Sequence, residues 1–186
     1  PQPMGGTQTY IQVVNEGKLE FGIANMMQTY MAVTGTGISE GHKFENLRLV
    51  ATLMAFRNGL MVRDDSDIKT SADLKGKRIG IQEPGGFADI NSRAVLRAAK
   101  IDPKEVNFVR IATEDVPALV ADQVDTGILH IEQEMLAKSK VPGIHAIARM
   151  WEMQPKTLYL AAAATDKTIK EKPAQLTAFI KANMEA

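Results

Sequence analysis

Two short glycine loops lead into helix-like segments: Met4-Gly5-Gly6-Thr7 and Glu83-Pro84-Gly85-Gly86-Phe87. Glycine lets the backbone approach a ligand closely, and the N–H groups of a helix start attract carboxylate or sulfonate oxygens. The same pattern also describes an ordinary strand-to-helix turn. Asp89, in the first turn of the second helix, either competes with a bound anion or complements the helix dipole. Arg57 follows a strand-like run and precedes Gly59, where a cation can pair with an acidic ligand or stand in solvent. Asn25 and Gln28 follow the strand-like Phe21 to Ala24, and His130 ends another such run. Open α/β sheets meet their ligands at the carboxyl ends of strands.

Other chemistries find no support. The sequence holds no Gly-Lys-Ser/Thr phosphate loop, and Gly35-Thr36-Gly37 lacks the later glycine of a dinucleotide fingerprint. A Gly-x-Ser-x-Gly elbow is absent. His130 and Glu134 are four apart, a spacing that suits metal on a helix, but His130 ends a strand and shares no helical face with Glu134. No metal site, cofactor or catalytic set is expected, and the chain reads as a non-enzyme. Cysteine is absent, which excludes disulfides and thiolate chemistry. The 22 Lys and Arg balance the 22 Asp and Glu, so neither a nucleic-acid partner nor a polybasic membrane contact is expected. The longest apolar run, Leu158 to Ala164, is far short of the roughly 20 residues a spanning helix needs.

The elements that position these residues alternate. Strands are expected at Phe21–Ala24, Leu47–Leu53, Gly59–Val62, Arg78–Ile81, Val106–Ile111, Asp125–His130, Ile144–Ala148 and Thr157–Ala163. Helices are expected at Gln8–Glu16, Asn25–Val33, Ala88–Ala99, from Asp115, at Glu132–Ser139 and from Pro173. Ile90, Ala94, Ala98 and Ile101 carry the helical period of the fourth-residue kind. Pro117 suits the first turn of the helix opened by Asp115. This alternation implies an α/β protein with mostly parallel sheets.

Several segments carry a family resemblance. Asn15-Glu16-Gly17-Lys18-Leu19-Glu20-Phe21-Gly22-Ile23-Ala24 resembles a segment of solute-binding proteins, and Glu45 to Ala51 resembles their next strand. Val62 to Gly80, with Ile68-Lys69-Thr70-Ser71-Ala72-Asp73-Leu74-Lys75-Gly76-Lys77-Arg78, is similar to a stretch of TAXI-type receptors of TRAP transporters. Gln123-Val124-Asp125-Thr126-Gly127 resembles a strand start of the same receptors. Ile169 to Pro173 leans toward the thiamine-precursor and sulfonate binding proteins of ABC transporters. Two departures matter: Gly86-Phe87-Ala88-Asp89 lacks the hydroxyls of the TAXI loop, and Leu129-His130-Ile131-Glu132 replaces small residues.

The resemblance implies a two-lobed periplasmic binding protein of type II, each lobe a mixed, mostly parallel sheet with flanking helices. Lobe one is residues 1–56 with 156–186 and lobe two is residues 57–155. The expected function is an extracytoplasmic receptor, periplasmic or lipid-anchored, that captures a carboxylate-bearing small molecule and delivers it to the membrane permease of a TRAP transporter. The alternative is an ABC-transporter binding protein for sulfonates or pyrimidine-type thiamine precursors, with stacking on Phe87 or Trp151. An enzyme or regulator domain of the same fold is a third reading. No membrane insertion of its own is implied. In this reading Arg57 meets the ligand's anion, Gly6, Thr7 and the backbone of Gly85, Gly86, Phe87 and Ala88 line the site, and Asn25, Gln28, Thr113 and His130 give polar contacts. The opening Pro1-Gln2-Pro3 suggests a processed chain, with a first strand and helix of lobe one and part of the C-terminus expected outside it.

Overall fold

The structure, a computed structural model, describes residues 7–111 and 115–185. In chain order the elements are α1 (Thr7–Asn15), β1 (Phe21–Asn25), α2 (Met26–Thr34), β2 (Leu47–Ala55), β3 (Asn58–Val62), β4 (Arg78–Ile81), α3 (Phe87–Ala98), β5 (Asn107–Arg110), α4 (Asp115–Val120), β6 (Thr126–His130), α5 (Ile131–Lys140), β7 (His145–Arg149), α6 (Met150–Met153), β8 (Leu158–Thr165), α7 (Asp166–Glu171) and α8 (Pro173–Met184). The chain divides into two compact units, Pro1–Phe56 with Thr157–Ala186, and Arg57–Lys156.

In the first unit the described strands form a sheet of order β1-β8-β2. Both pairings are antiparallel, where the sequence predicts mostly parallel strands. The reason is connectivity: β8 re-enters from the other unit and runs back between two strands that the chain laid down much earlier. Ala161, Ala162, Ala163 and Ala164 of β8 are all buried. Successive strand residues face opposite sides, so both faces of β8 are covered. Ile11 and Val14 of α1 pack with Ala24, Ala32, Leu47 and Ala163 in one core. Phe21 stacks on Phe179 of α8 with ring centroids 5.0 Å apart.

The second unit has a five-stranded mixed sheet of order β5-β4-β6-β3-β7. β4 runs parallel to β5 and β6, which requires the crossover helices α3 and α4. β3 pairs antiparallel with β6 and β7. Every residue of β3 is buried. Met61, Leu119, Val124, Leu129, Ala137 and Ile144 share a core with Ile111 and Val116. Full burial of a side chain such as Leu129 contributes roughly 1.5–3 kcal/mol. After β4 the chain turns toward β5, and after β6 it turns the other way toward β7. The carboxyl ends of β4 and β6 therefore flank a point where strand order reverses, which is where open α/β sheets form a crevice.

Candidate functional site

The chain leaves β4 through Gln82 and enters α3 by the expected loop. Gly85 has φ 72°, which only glycine adopts without strain. A Cβ on Gly86 would lie 2.9 Å from the Glu83 carbonyl oxygen, so that position too is held to glycine. The loop amides do not all face outward, as the sequence reading expects. Gly85 donates its N–H to Asp89 Oδ2 at 2.7 Å, and Gly86 donates to the Glu83 carbonyl at 3.0 Å. Asp89 is only 4% exposed, and its Oδ1 accepts from Arg93 Nε at 2.7 Å. A carboxylate of the chain thus holds the loop amide that an anion would need. Ala88 is buried, so its side chain belongs to the core.

Phe87 and His130 come together from α3 and the end of β6. Their rings stack with centroids 5.4 Å apart and planes 12° from parallel. Asn58 stands opposite His130 in the β3–β6 register, with its Nδ2 2.8 Å from His130 Nδ1. With the Asn58 amide as donor, Nδ1 accepts and the neutral ring carries its proton on Nε2. Burial pushes the His130 pKa below its ordinary value, against the pull of the Glu132 carboxylate. Asn58 is buried, and its Oδ1 has no hydrogen-bond partner among the described residues.

Arg57 lies at the same end, since its carbonyl accepts the Ile131 N–H at 3.1 Å. Its guanidinium sits over the Trp151 ring at 5.5 Å, and Arg149 approaches that ring at 5.8 Å. Arg57 is exposed and forms no ion pair among the described residues. Asp115, at the start of α4, completes this edge. It accepts from Gln82 Nε2 at 2.5 Å and from Gln133 Nε2 at 3.5 Å. Burial raises the Asp115 pKa, and the bonds from Gln133, its own N–H and Gln82 partly offset this.

The structure therefore brings together Arg57, Gly85, Gly86, Phe87, Ala88 and His130 within the second unit. Gly6 and Thr113 lie outside the described residues, and Thr7 opens α1 in the first unit. Asn25 does not begin α2 but caps it: Oδ1 accepts the N–H of Met27 at 3.0 Å and of Gln28 at 3.3 Å. Its carbonyl accepts Thr29 Oγ1 at 2.7 Å. Capping of this kind is a structural task, and a ligand could use Asn25 only through its other atoms. Gln28 is buried beside it. Sequence reasoning passes over Asn58, Gln82 and Gln133. The available signal was a polar residue at the head of the apolar Asn58-Gly59-Leu60-Met61-Val62 and the first polar residue after Arg78–Ile81. Among the described residues no group of three or more His, Asp or Glu could hold a metal.

Comparison with known proteins bears on this arrangement. A Haemophilus influenzae protein provisionally named as a thiamine biosynthesis protein is 31% identical over 125 residues, which cover 65% of this chain and 40% of that protein. The periplasmic aliphatic sulphonate binding protein SsuA from Escherichia coli superposes with a TM-score of 0.72 at 16% identity, covering 97% of this chain and 59% of SsuA. The alkanesulfonate-binding protein SsuA from Xanthomonas axonopodis pv. citri, bound to MOPS, superposes with a TM-score of 0.68 at 16% identity, covering 97% of this chain and 60% of that one. The chain thus spans less than two thirds of the length of each of these three proteins. These likenesses establish the α/β periplasmic binding protein fold, with mixed sheets and flanking helices. These likenesses do not confirm the TAXI subtype that Val62 to Gly80 resembles. The pattern described as NMT1/THI5 like matches residues 2–186, and the chain belongs to that family.

Proposed function

We propose that the chain forms the ligand-capturing part of an extracytoplasmic substrate-binding protein that serves an ABC-type importer, and that its ligand is a pyrimidine-type thiamine precursor. The observation that carries this reading is the Phe87–His130 ring pair at the strand-order reversal, with the Arg57–Trp151 pair at the same end of the sheet. Planar π-faces suit a heteroaromatic ring, and offset stacking contributes about 0.5–1.5 kcal/mol beyond the area buried. Asp89 already occupies the Gly85 N–H, and Asp115 is a buried carboxylate with only amide partners, which together disfavour an anion against the loop. The expectation of a carboxylate-bearing ligand and a TRAP permease finds less support for the same reason and from the family match. The name of the Haemophilus relative points the same way.

Sulfonates are a second reading, favoured by what the two SsuA proteins bind and by Arg57, which has no carboxylate partner among the described residues. Calorimetry separates the two. The aminopyrimidine alcohol that forms half of thiamine is expected to bind, with MOPS and ethanesulfonate binding at least about tenfold more weakly. Arg57→Ala then weakens the pyrimidine by about fivefold or less, the scale of a lost exposed cation–π contact. Tighter binding of a sulfonate, with a large loss in Arg57→Ala, favours the second reading. No binding of either class refutes both.

A further inference from the structure

The polarity of the amide groups around Asp115 is forced rather than assigned. The His130 backbone N–H can only donate, and it donates to Gln133 Oε1 at 2.9 Å. Gln133 must therefore turn its NH2 the other way, toward Asp115 Oδ2 at 3.5 Å. A carboxylate offers only lone pairs, so Gln82 must also present NH2 to Asp115, at 2.5 Å from Oδ1. Asp115 is 8% exposed, whereas Gln82 is only half-buried. The side-chain oxygen Oε1 of Gln82 has no partner among the described residues, whereas its main-chain carbonyl accepts from Arg110 Nε at 3.2 Å. Gln82 directly follows β4, at the sheet edge where β6 also ends and strand order reverses.

We infer that Asp115 is a specificity-determining positioning residue: by taking the NH2 of Gln82 it leaves the Gln82 amide oxygen to read a hydrogen-bond donor, an amine or hydroxyl, on the ligand. This rests on the ligand-binding reading above. Asp115 itself touches no ligand and acts through Gln82. Its negative charge behind that oxygen strengthens the attraction for a donor and repels an anionic group at the same spot. Specificity follows because an analogue lacking the donor leaves the Gln82 amide oxygen, desolvated by the bound ligand, unsatisfied.

Calorimetry on the full chain with two matched probe pairs tests the inference. One pair is the aminopyrimidine alcohol and its analogue with methyl in place of amino; the other is taurine and ethanesulfonate. The wild type is expected to prefer the amino-bearing member of whichever pair binds by about tenfold or more. Asp115→Asn offers an NH2 of its own and turns Gln82 round, cutting that preference to about twofold or less. Gln82→Met, which keeps the volume and removes the acceptor, does the same without touching α4. Asp115→Glu retains part of the preference. Equal weakening of both members in Asp115→Asn marks a merely structural role and overturns the inference, as does an unchanged preference. If the wild type binds neither pair, the functional reading fails, and the Gln82 side-chain NH2 resonances decide the polarity separately. Exchange protection that disappears in Asp115→Asn upholds the arrangement; identical signals in both proteins overturn it.

Discussion

Where β4 begins, Arg78 donates its main-chain N–H to Asp125 Oδ2 at 2.7 Å and its guanidinium to Asp125 and Asp122. Arg63 reaches the same Asp122 at 3.1 Å and Asp65 at 3.0 Å. Where β4 and β6 end, Arg57 meets an indole face, His130 meets a ring and an amide, and Asp115 meets two amides. Both edges belong to one sheet of one unit. At the first, charges of the chain close on one another and tie loops to strands. At the second, Asp115 and Arg57 are held by neutral or aromatic groups that do not cancel them, and only Asp89 is paired, with Arg93. The contrast teaches that charge closure marks scaffolding, while charge held by amides and rings keeps capacity for a further partner.

Three changes test that contrast. The largest effect is expected from Asp125→Ala, which strips the Arg78 N–H of its acceptor at the scaffolding edge. Urea unfolding should show a loss of about 1–3 kcal/mol, while ligand affinity changes by less than about twofold. Lost affinity at full stability would invert the comparison. Next comes Phe87→Ala at the other edge. Removing the ring stacked on His130 should weaken a heteroaromatic ligand by about fivefold, roughly 1 kcal/mol, with a smaller change in the unfolding midpoint because Phe87 is only half-buried. A stability loss larger than that of Asp125→Ala would make Phe87 core rather than site.

The smallest effect lies in the pH dependence of stability. The His130 pKa is depressed in the fold from its ordinary 6.5. As pH falls through that value the unfolded chain takes up the proton first, so stability declines until the folded ring protonates as well. Burial raises the pKa of Asp125, but the hydrogen bonds and charge of Arg78 outweigh it and leave the value below the ordinary carboxylate range. Its contribution is present above that range and is lost only as pH falls through the lower, folded value. His130 should therefore lower stability first as pH falls and Asp125 at lower pH, while Asp115, whose folded pKa is raised, contributes in the opposite sense as it takes up its proton. His130→Gln should abolish the first decline alone; a first decline that survives the substitution assigns it elsewhere.

Much of the architecture is legible along the chain. The period of Ile90 and its successors, Pro117 near a helix start and the glycines at Gly85 and Gly86 all report local preferences that the tertiary structure leaves in place. The short α6 and α7 are not among the expected elements. α7 carries its signal in Thr165, whose Oγ1 accepts the Thr168 N–H at 3.1 Å, but Pro173 is the stronger local mark of a helix start. Asn25 shows the opposite limit. Its position after a strand fits both a ligand contact and a helix cap, and only the placement of the Met27 and Gln28 amides decides between them. The loop amides of Gly85 and Gly86 illustrate the same point, because Asp89 can reach back to them only once α3 has formed.

The sequence by itself determined the α/β alternation, the absence of thiol chemistry, the charge balance and the residues that begin and end most elements. Those properties depend on neighbours within a few positions or on composition alone. Tertiary structure decided which polar groups meet. Asn58 and His130 are 72 residues apart, and Gln82 and Asp115 are 33 apart, yet each pair lies within hydrogen-bond distance. Strand order sets these contacts, because β6 returns between β4 and β3 and carries His130 to the edge where β4 releases Gln82. No local preference encodes that order; it follows from which hydrophobic faces can be buried together.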